Sequence, residues 1–145
     1  DGRPAGIFDS LPRSLPPLLK AYRIHSKAAR AGFTFSEDQD VEQQAEAEWL
    51  ELLDAFASGD KAAQSHELGD LIFTLVELGR RKGIKASAAL DEAAQRFLSR
   101  FAHMEKRARL LGRDFTALSM EEKNALWDEA KAGEAGGNDA AKELS

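Results

Sequence analysis

From residue 15 onward the apolar side chains recur at helical spacing, three and four positions apart, and strand-like alternation is scarce. The pattern predicts an all-α chain. Its four prolines, Pro4, Pro12, Pro16 and Pro17, are confined to the start, so nothing later interrupts a helix from within. Ser14 is a candidate N-cap with Pro16 and Pro17 in the first turn, giving a first helix over about 15–30 that stops near Gly32. A second helix is expected over about 40–57, capped by Asp40, with Ala45, Trp49, Leu52, Leu53 and Phe56 on one side. The third, about 61–82, carries Leu68, Leu71, Ile72, Leu75, Val76 and Leu78, an arc wide enough to need two covering neighbours. Ser87 opens a fourth to about 111, and Ser119 a short fifth through Trp127. Residues 1–14 read as a linker or cut edge, 15–132 as one helical domain. The tail 133–145, "GEAGGNDAAKELS", is expected to be disordered because it has little apolar surface to offset its ordering entropy.

Composition narrows the function classes. A net charge of −5 argues against broad adhesion to nucleic acid or anionic membrane, so no nucleic-acid partner is expected. The chain has no Cys, which removes disulfides, thiolate catalysis and zinc–thiolate sites and suits a reducing cytoplasm. No apolar run approaches the roughly 20 residues that cross a bilayer, so no membrane partner is expected.

The chemistry lies in acids. Residues three apart occupy adjacent turns of one helix face, so Glu48 converges with Glu51 and Glu67 with Asp70. Each pair flanks an apolar arc. If the second and third helices pack antiparallel through those arcs, four carboxylates meet at one seam, where a cation must relieve their repulsion. All-oxygen ligation points to Mg²⁺, with Mn²⁺ a possible substitute. Against this, glutamates beside an apolar stripe are ordinarily solvated boundary residues, and spacing by itself leaves both readings open. Lys27, Arg30, Arg96 and Arg100 have the chemistry for phosphate contact, though helix-surface cations are commonly just solvated. Trp127 has the chemistry to stack on a base, yet a lone Trp in a terminal helix usually packs on its neighbours. His25, His66 and His103 show no ligand spacing with one another.

"AEWLELLDAF" followed by "HELGDLIFTLVELGRRKGI" resembles the EExxE…ExxD signature of the MazG nucleoside triphosphate pyrophosphohydrolases, of the all-α NTP-pyrophosphatase superfamily. "LPPLLKAYRIHSKAARAGFTF", "AAQRFLSRFAHME" and "SMEEKNALWDEAK" are similar to that family's lead-in, basic and closing segments, and the likeness covers roughly residues 15–131 in order. The resemblance implies a helical bundle completed by homodimerisation and Mg²⁺-dependent hydrolysis of nucleoside triphosphates between the α and β phosphates, a house-cleaning reaction on non-standard or excess nucleotides. It implies that Glu48, Glu51, Glu67 and Asp70 are metal ligands, with Glu48 or Glu51 orienting the attacking water. Lys27, Arg96 and Arg100 would contact phosphates, and Trp127 would lie near the nucleoside. One position departs: the first acid of EExxE is Ala47 here. Because MazG proteins often carry two such domains and this chain does not start with Met, it is expected to be a carboxy-terminal half. Two other readings share these residues: a narrower dCTP or dUTP pyrophosphatase, and a helical dimerisation or regulatory module that has lost catalysis.

Overall fold

In a computed structural model that describes residues 6–143, with side chains through Glu134, the chain is helical throughout its regular structure, with no strand among the described residues. The helices are α1 (Pro17–Arg30), α2 (Asp38–Ser58), α3 (Lys61–Arg81), α4 (Ala86–Leu110) and α5 (Met120–Glu143), with a 3₁₀ turn at Phe115–Ala117 before α5. Two compact units divide at residues 90 and 91.

The first unit is built on an α2–α3 hairpin. Gly59 takes the left-handed φ of +74° that turns the chain sharply here, and Asp60 then caps α3 by accepting from the Ala62 and Ala63 amides at 3.0 and 3.3 Å. Gln64 ties this closed end by donating to the Ala55 carbonyl at 3.2 Å. At the far end Arg81 donates to Asp38 Oδ1 at 2.8 Å, to Thr34 Oγ1 at 3.1 Å and to the Phe35 carbonyl at 2.9 Å, while Lys82 reaches Asp38 Oδ2 at 3.0 Å. The start of α2 therefore meets the end of α3, which makes the hairpin antiparallel. Val41, Leu52, Ala55 and Val76 are its buried apolar residues, and α1 packs on α3.

Arg81→Ala is expected to lower the melting temperature by several degrees. The bonds to Thr34 and Phe35 are worth about 1 kcal/mol each, and Asp38 loses one of the two cations that hold its carboxyl below its ordinary range. A melting curve indistinguishable from wild type would refute the clasp.

Several boundaries differ from the sequence reading. Pro16, not Ser14, stands at the N-cap of α1, because Pro17 at the first helical position has no amide to satisfy. Asp40 is not the cap of α2: the helix starts two residues earlier, and the Asp40 carboxylate reaches back to the Glu37 amide at 3.2 Å as the returning half of a capping box. Trp49, Leu53, Phe56, Leu68, Ile72 and Leu75, expected in the core, are all exposed within this chain.

In the second unit Met104, Ala108, Leu118 and Leu126 form a buried cluster, with Phe101, Phe115 and Trp127 packed against it. Ser119 starts α5 as expected. Its hydroxyl accepts from the Glu122 amide and its own amide donates to Glu122, both at 3.1 Å. The helix does not stop at Trp127 but continues to Glu143. The expectation of disorder over 133–145 thus falls on helical backbone as far as Glu143, with the side chains from 135 and residues 144–145 outside the described set.

Candidate functional site

Glu48 faces inward from α2 because its phase matches that of Val41, Leu52 and Ala55. It is buried, 7 % exposed. Its Oε1 accepts from Gln44 Nε2, one turn earlier, at 3.0 Å, whereas Oε2 is buried with no partner. Burying a carboxylate oxygen unpaired is costly, so the site stands ready for a cation or a donor. Glu51, one turn on, is exposed, and its carboxyl neighbours Glu67 across the hairpin. Partial burial raises the Glu67 pKa above its ordinary value near 4.5, and the neighbouring Glu51 carboxyl raises it further. Glu67 Oε2 is also buried without a partner. Asp70, a turn beyond Glu67, is half exposed and lies 3.2 Å from His66 Nε2.

Among the described residues, no three of His, Cys, Asp or Glu are gathered closely enough to hold a metal ion as they stand. The donor set nonetheless fits Mg²⁺, which takes oxygen ligands, keeps several waters and commonly uses only one or two carboxylates plus substrate phosphates. Glu48 Oε2 and Glu67 Oε2, buried without partners, are oxygens of the kind such an arrangement uses.

Glu48 and Gln44 also line a cavity of about 620 Å³ in the first unit, walled by Phe8, Phe33, Phe35 and Phe73. His25 and Glu77 line it too. His25 Nε2 donates to the Phe73 carbonyl at 2.8 Å, Nδ1 lies 3.5 Å from Glu77, and Arg80 pairs with the same buried carboxylate. Sequence reasoning gave His25 no chemistry and passed over Gln44 and Glu77. The Gln44–Glu48 spacing of four was the available signal for the first pair, and nothing local flags the second, whose partner is 52 positions away.

The predicted cations fall in different places. Lys27 donates to Ser10 Oγ at 3.0 Å and lines a separate cavity with Arg23 and Arg30. On α1 these positions lie about opposite Ile24, His25 and Ala28, which face the Glu48 cavity. In the second unit Arg96 lines a cavity of about 400 Å³ with Asp91, Glu92 and Glu134. Arg100 is clamped by Glu134 through Nε to Oε1 and Nη2 to Oε2, both 2.9 Å, and its guanidinium lies 5.1 Å from the Trp127 ring. Trp127 also meets Phe97 at 5.5 Å, so it packs on its neighbours.

A family model described as phosphoribosyl-ATP pyrophosphohydrolase matches residues 25–97, half of the chain, including all four acids. The chain belongs to the PRA-PH/MazG-like pyrophosphohydrolase family. It is 32% identical over 126 residues, 86% of its own length, to a nucleoside triphosphate pyrophosphohydrolase of Escherichia coli (strain K12), covering 48% of that protein. It is 32% identical over 120 residues, 83% of its length, to the nucleoside triphosphate pyrophosphohydrolase/pyrophosphatase MazG of Thermotoga maritima, covering 46%. The chain thus spans about half the length of these curated relatives. The all-α expectation and the MazG resemblance both hold.

For this MazG-like pair of acids the sign of the pH dependence follows from linkage. With its pKa raised, Glu67 binds more protons folded than unfolded between its ordinary 4.5 and the raised value, so stability falls as pH rises through that window. Asp38, Glu122 and Glu134, whose pKa values are lowered, act below their ordinary values and leave this window clear. In chelator, the melting temperature is expected to fall across it, and Glu67→Gln to flatten the fall. An unchanged slope in the variant would refute the pairing of Glu67 with Glu51.

Proposed function

We propose that the chain hydrolyses nucleoside triphosphates between the α and β phosphates, yielding the monophosphate and pyrophosphate, with Mg²⁺ held by Glu48, Glu51, Glu67 and Asp70. The observation that carries this reading is the pair of buried, partnerless oxygens, Glu48 Oε2 and Glu67 Oε2, on facing helices of one rigid hairpin. The names of the two relatives support it. When bound, Mg²⁺ supplies charge neutralisation for the triphosphate and acidifies a water at the site.

The chain's own residues do the rest. Gln44 holds one oxygen of Glu48, fixing the carboxylate and leaving the other oxygen free to ligate or to orient water. Glu67, held above its ordinary pKa by partial burial and by the Glu51 carboxyl, would have to be ionised to ligate a cation, so cation affinity would rise with pH through the Glu67 window. The phenylalanine walls beside Glu48 offer an apolar cavity of the size that takes a nucleoside. Arg96 and Arg100 carry over from the family as phosphate contacts, and Arg100 must then exchange Glu134 for phosphate, one bidentate partner for another. Trp127, already stacked on Arg100, carries over as a nucleoside neighbour. Ala47 is exposed on α2, so the missing acid leaves no void in the fold, and its effect falls on metal binding.

The test is purified chain, Mg²⁺ and a panel of ribo- and deoxyribonucleoside triphosphates, with pyrophosphate and orthophosphate measured separately. Pyrophosphate with an equal amount of monophosphate, abolished by chelator, is expected. Orthophosphate release, or no turnover of any triphosphate, would overturn the reading.

A further inference from the structure

α1 is the anomaly of an acidic protein. Its fourteen residues hold Lys20, Arg23, Lys27 and Arg30 and no Asp or Glu, in a chain of net charge −5. The four cations sit at i, i+3, i+7 and i+10, so they form one stripe along one face. Arg23, Lys27 and Arg30 line a cavity of about 360 Å³ together with Tyr22, Ser26 and Lys85, the last from the loop ahead of α4. Among the described residues none of Arg23, Lys27, Arg30 and Lys85 is in an ion pair. Their contacts are neutral ones: Lys27 donates to Ser10, Arg30 Nη2 donates to Ser26 Oγ at 3.2 Å, and Lys85 lies 5.9 Å from the Tyr22 ring centroid.

The α1 carbonyl end accounts for part of this, since a helix C-terminus favours cations with roughly half a unit of negative charge. That is too little to neutralise four cations around one cavity, two of which, Arg23 and Lys85, lie outside the last turn of α1. Like charges held within a Debye length of about 8–10 Å repel one another unless an anion comes between them. The cavity is concave and small, which suits a compact, multiply charged anion, and Tyr22 and Ser26 add hydroxyls to the guanidinium and ammonium donors.

We propose that this cavity is a second, metal-independent anion site that binds a polyphosphate chain, either free pyrophosphate or the phosphate arm of a nucleotide. It lies on the face of α1 turned away from the Glu48 cavity, so it is distinct from the acid pairs and holds whether or not those acids catalyse.

The experiment is titration calorimetry of the whole chain with inorganic pyrophosphate, in chelator and at an ionic strength of about 0.15 M. Wild type is expected to bind. The Arg23→Gln/Arg30→Gln variant is expected to bind at least ~10-fold more weakly, since two charge-assisted bonds are lost. Glu67→Gln/Asp70→Asn is expected to bind as wild type does. Should the double arginine variant fail to fold by circular dichroism, Lys85→Gln, an exposed loop change, reads the same direction. Binding abolished by the acid variant, binding unaffected by the arginine and Lys85 variants, or no binding at all would each overturn the proposal. Tripolyphosphate and ATP distinguish the source: equal affinity marks the free chain, tighter ATP a nucleotide, and either keeps the site. A single-stranded oligonucleotide that displaces pyrophosphate at lower phosphate concentration would replace it with a nucleic-acid surface.

Discussion

Asp70→Asn, and separately Glu67→Gln, are expected to reduce Mg²⁺-dependent pyrophosphate release by on the order of 10²-fold or more while leaving helix content unchanged. The carboxamides keep the shape and lose the charge. Asp70 is half exposed and pairs with His66, so no buried packing contact depends on its charge. Glu67 is more informative, because in the metal-free protein its ionisation opposes burial and repels Glu51. Glu67→Gln should therefore melt no earlier than wild type in chelator at pH 8 while failing in turnover, a combination that an unfolding explanation does not produce. Added Mg²⁺ should raise the wild-type melting temperature and leave that of either variant nearly unmoved. Full turnover in these variants, or equal Mg²⁺ stabilisation of all three proteins, would remove Glu67 and Asp70 from the metal site.

The spacing of the acids along α2 and α3 was legible because a helix converts spacing into proximity without help from the rest of the fold. Glu48–Glu51 and Glu67–Asp70 needed only the three-residue offset, and the hairpin that brings Glu51 near Glu67 needed two consecutive helical patterns and the Ser58-Gly59-Asp60 break. What spacing does not convey is which edge of an apolar arc turns inward. Glu48 is buried and Glu51 exposed, although both border the same stripe, because the buried phase of α2 is set by Val41, Leu52 and Ala55 rather than by the larger Trp49, Leu53 and Phe56. Lys27, a phosphate contact by resemblance, aligns with Arg23 and Arg30 on α1 rather than with Ile24 and Ala28, which line the Glu48 cavity. The extent of α5 was missed for a different reason. The glycines at 133, 136 and 137 each disfavour helix by about 1 kcal/mol, yet alanines at 130, 132, 135, 140 and 141 are the best helix formers and lie among them.

The large side chains that miss the core define the second major expectation: the working form is a homodimer, and separating it silences the enzyme. On α2, Trp49, Leu50, Leu53 and Phe56 share a face that is not the buried one, and on α3 Leu68, Ile72 and Leu75 do the same at i, i+4 and i+7. Leu50 is 60% exposed and Leu75 48%. Seven exposed large apolar side chains on two adjoining helices are more apolar surface than soluble monomers usually leave in one place, and a two-fold copy of the same hairpin is the simplest cover. Leu53→Asp/Ile72→Asp places two charges on that surface without touching Val41, Leu52 or Val76, so each chain should still fold, while burying the charges against a partner would cost several kcal/mol. Sedimentation at low micromolar concentration should show wild type as a dimer and the variant at its chain mass of 15.9 kDa. Turnover should drop to roughly a tenth or less, because Glu51 and Glu67 lie on the same two helices as that face and the MazG resemblance implies a pocket completed by the second copy. A wild-type chain that sediments as a folded, active monomer would refute the dimer. A monomeric variant with full activity would keep the dimer and place the pocket wholly within one chain.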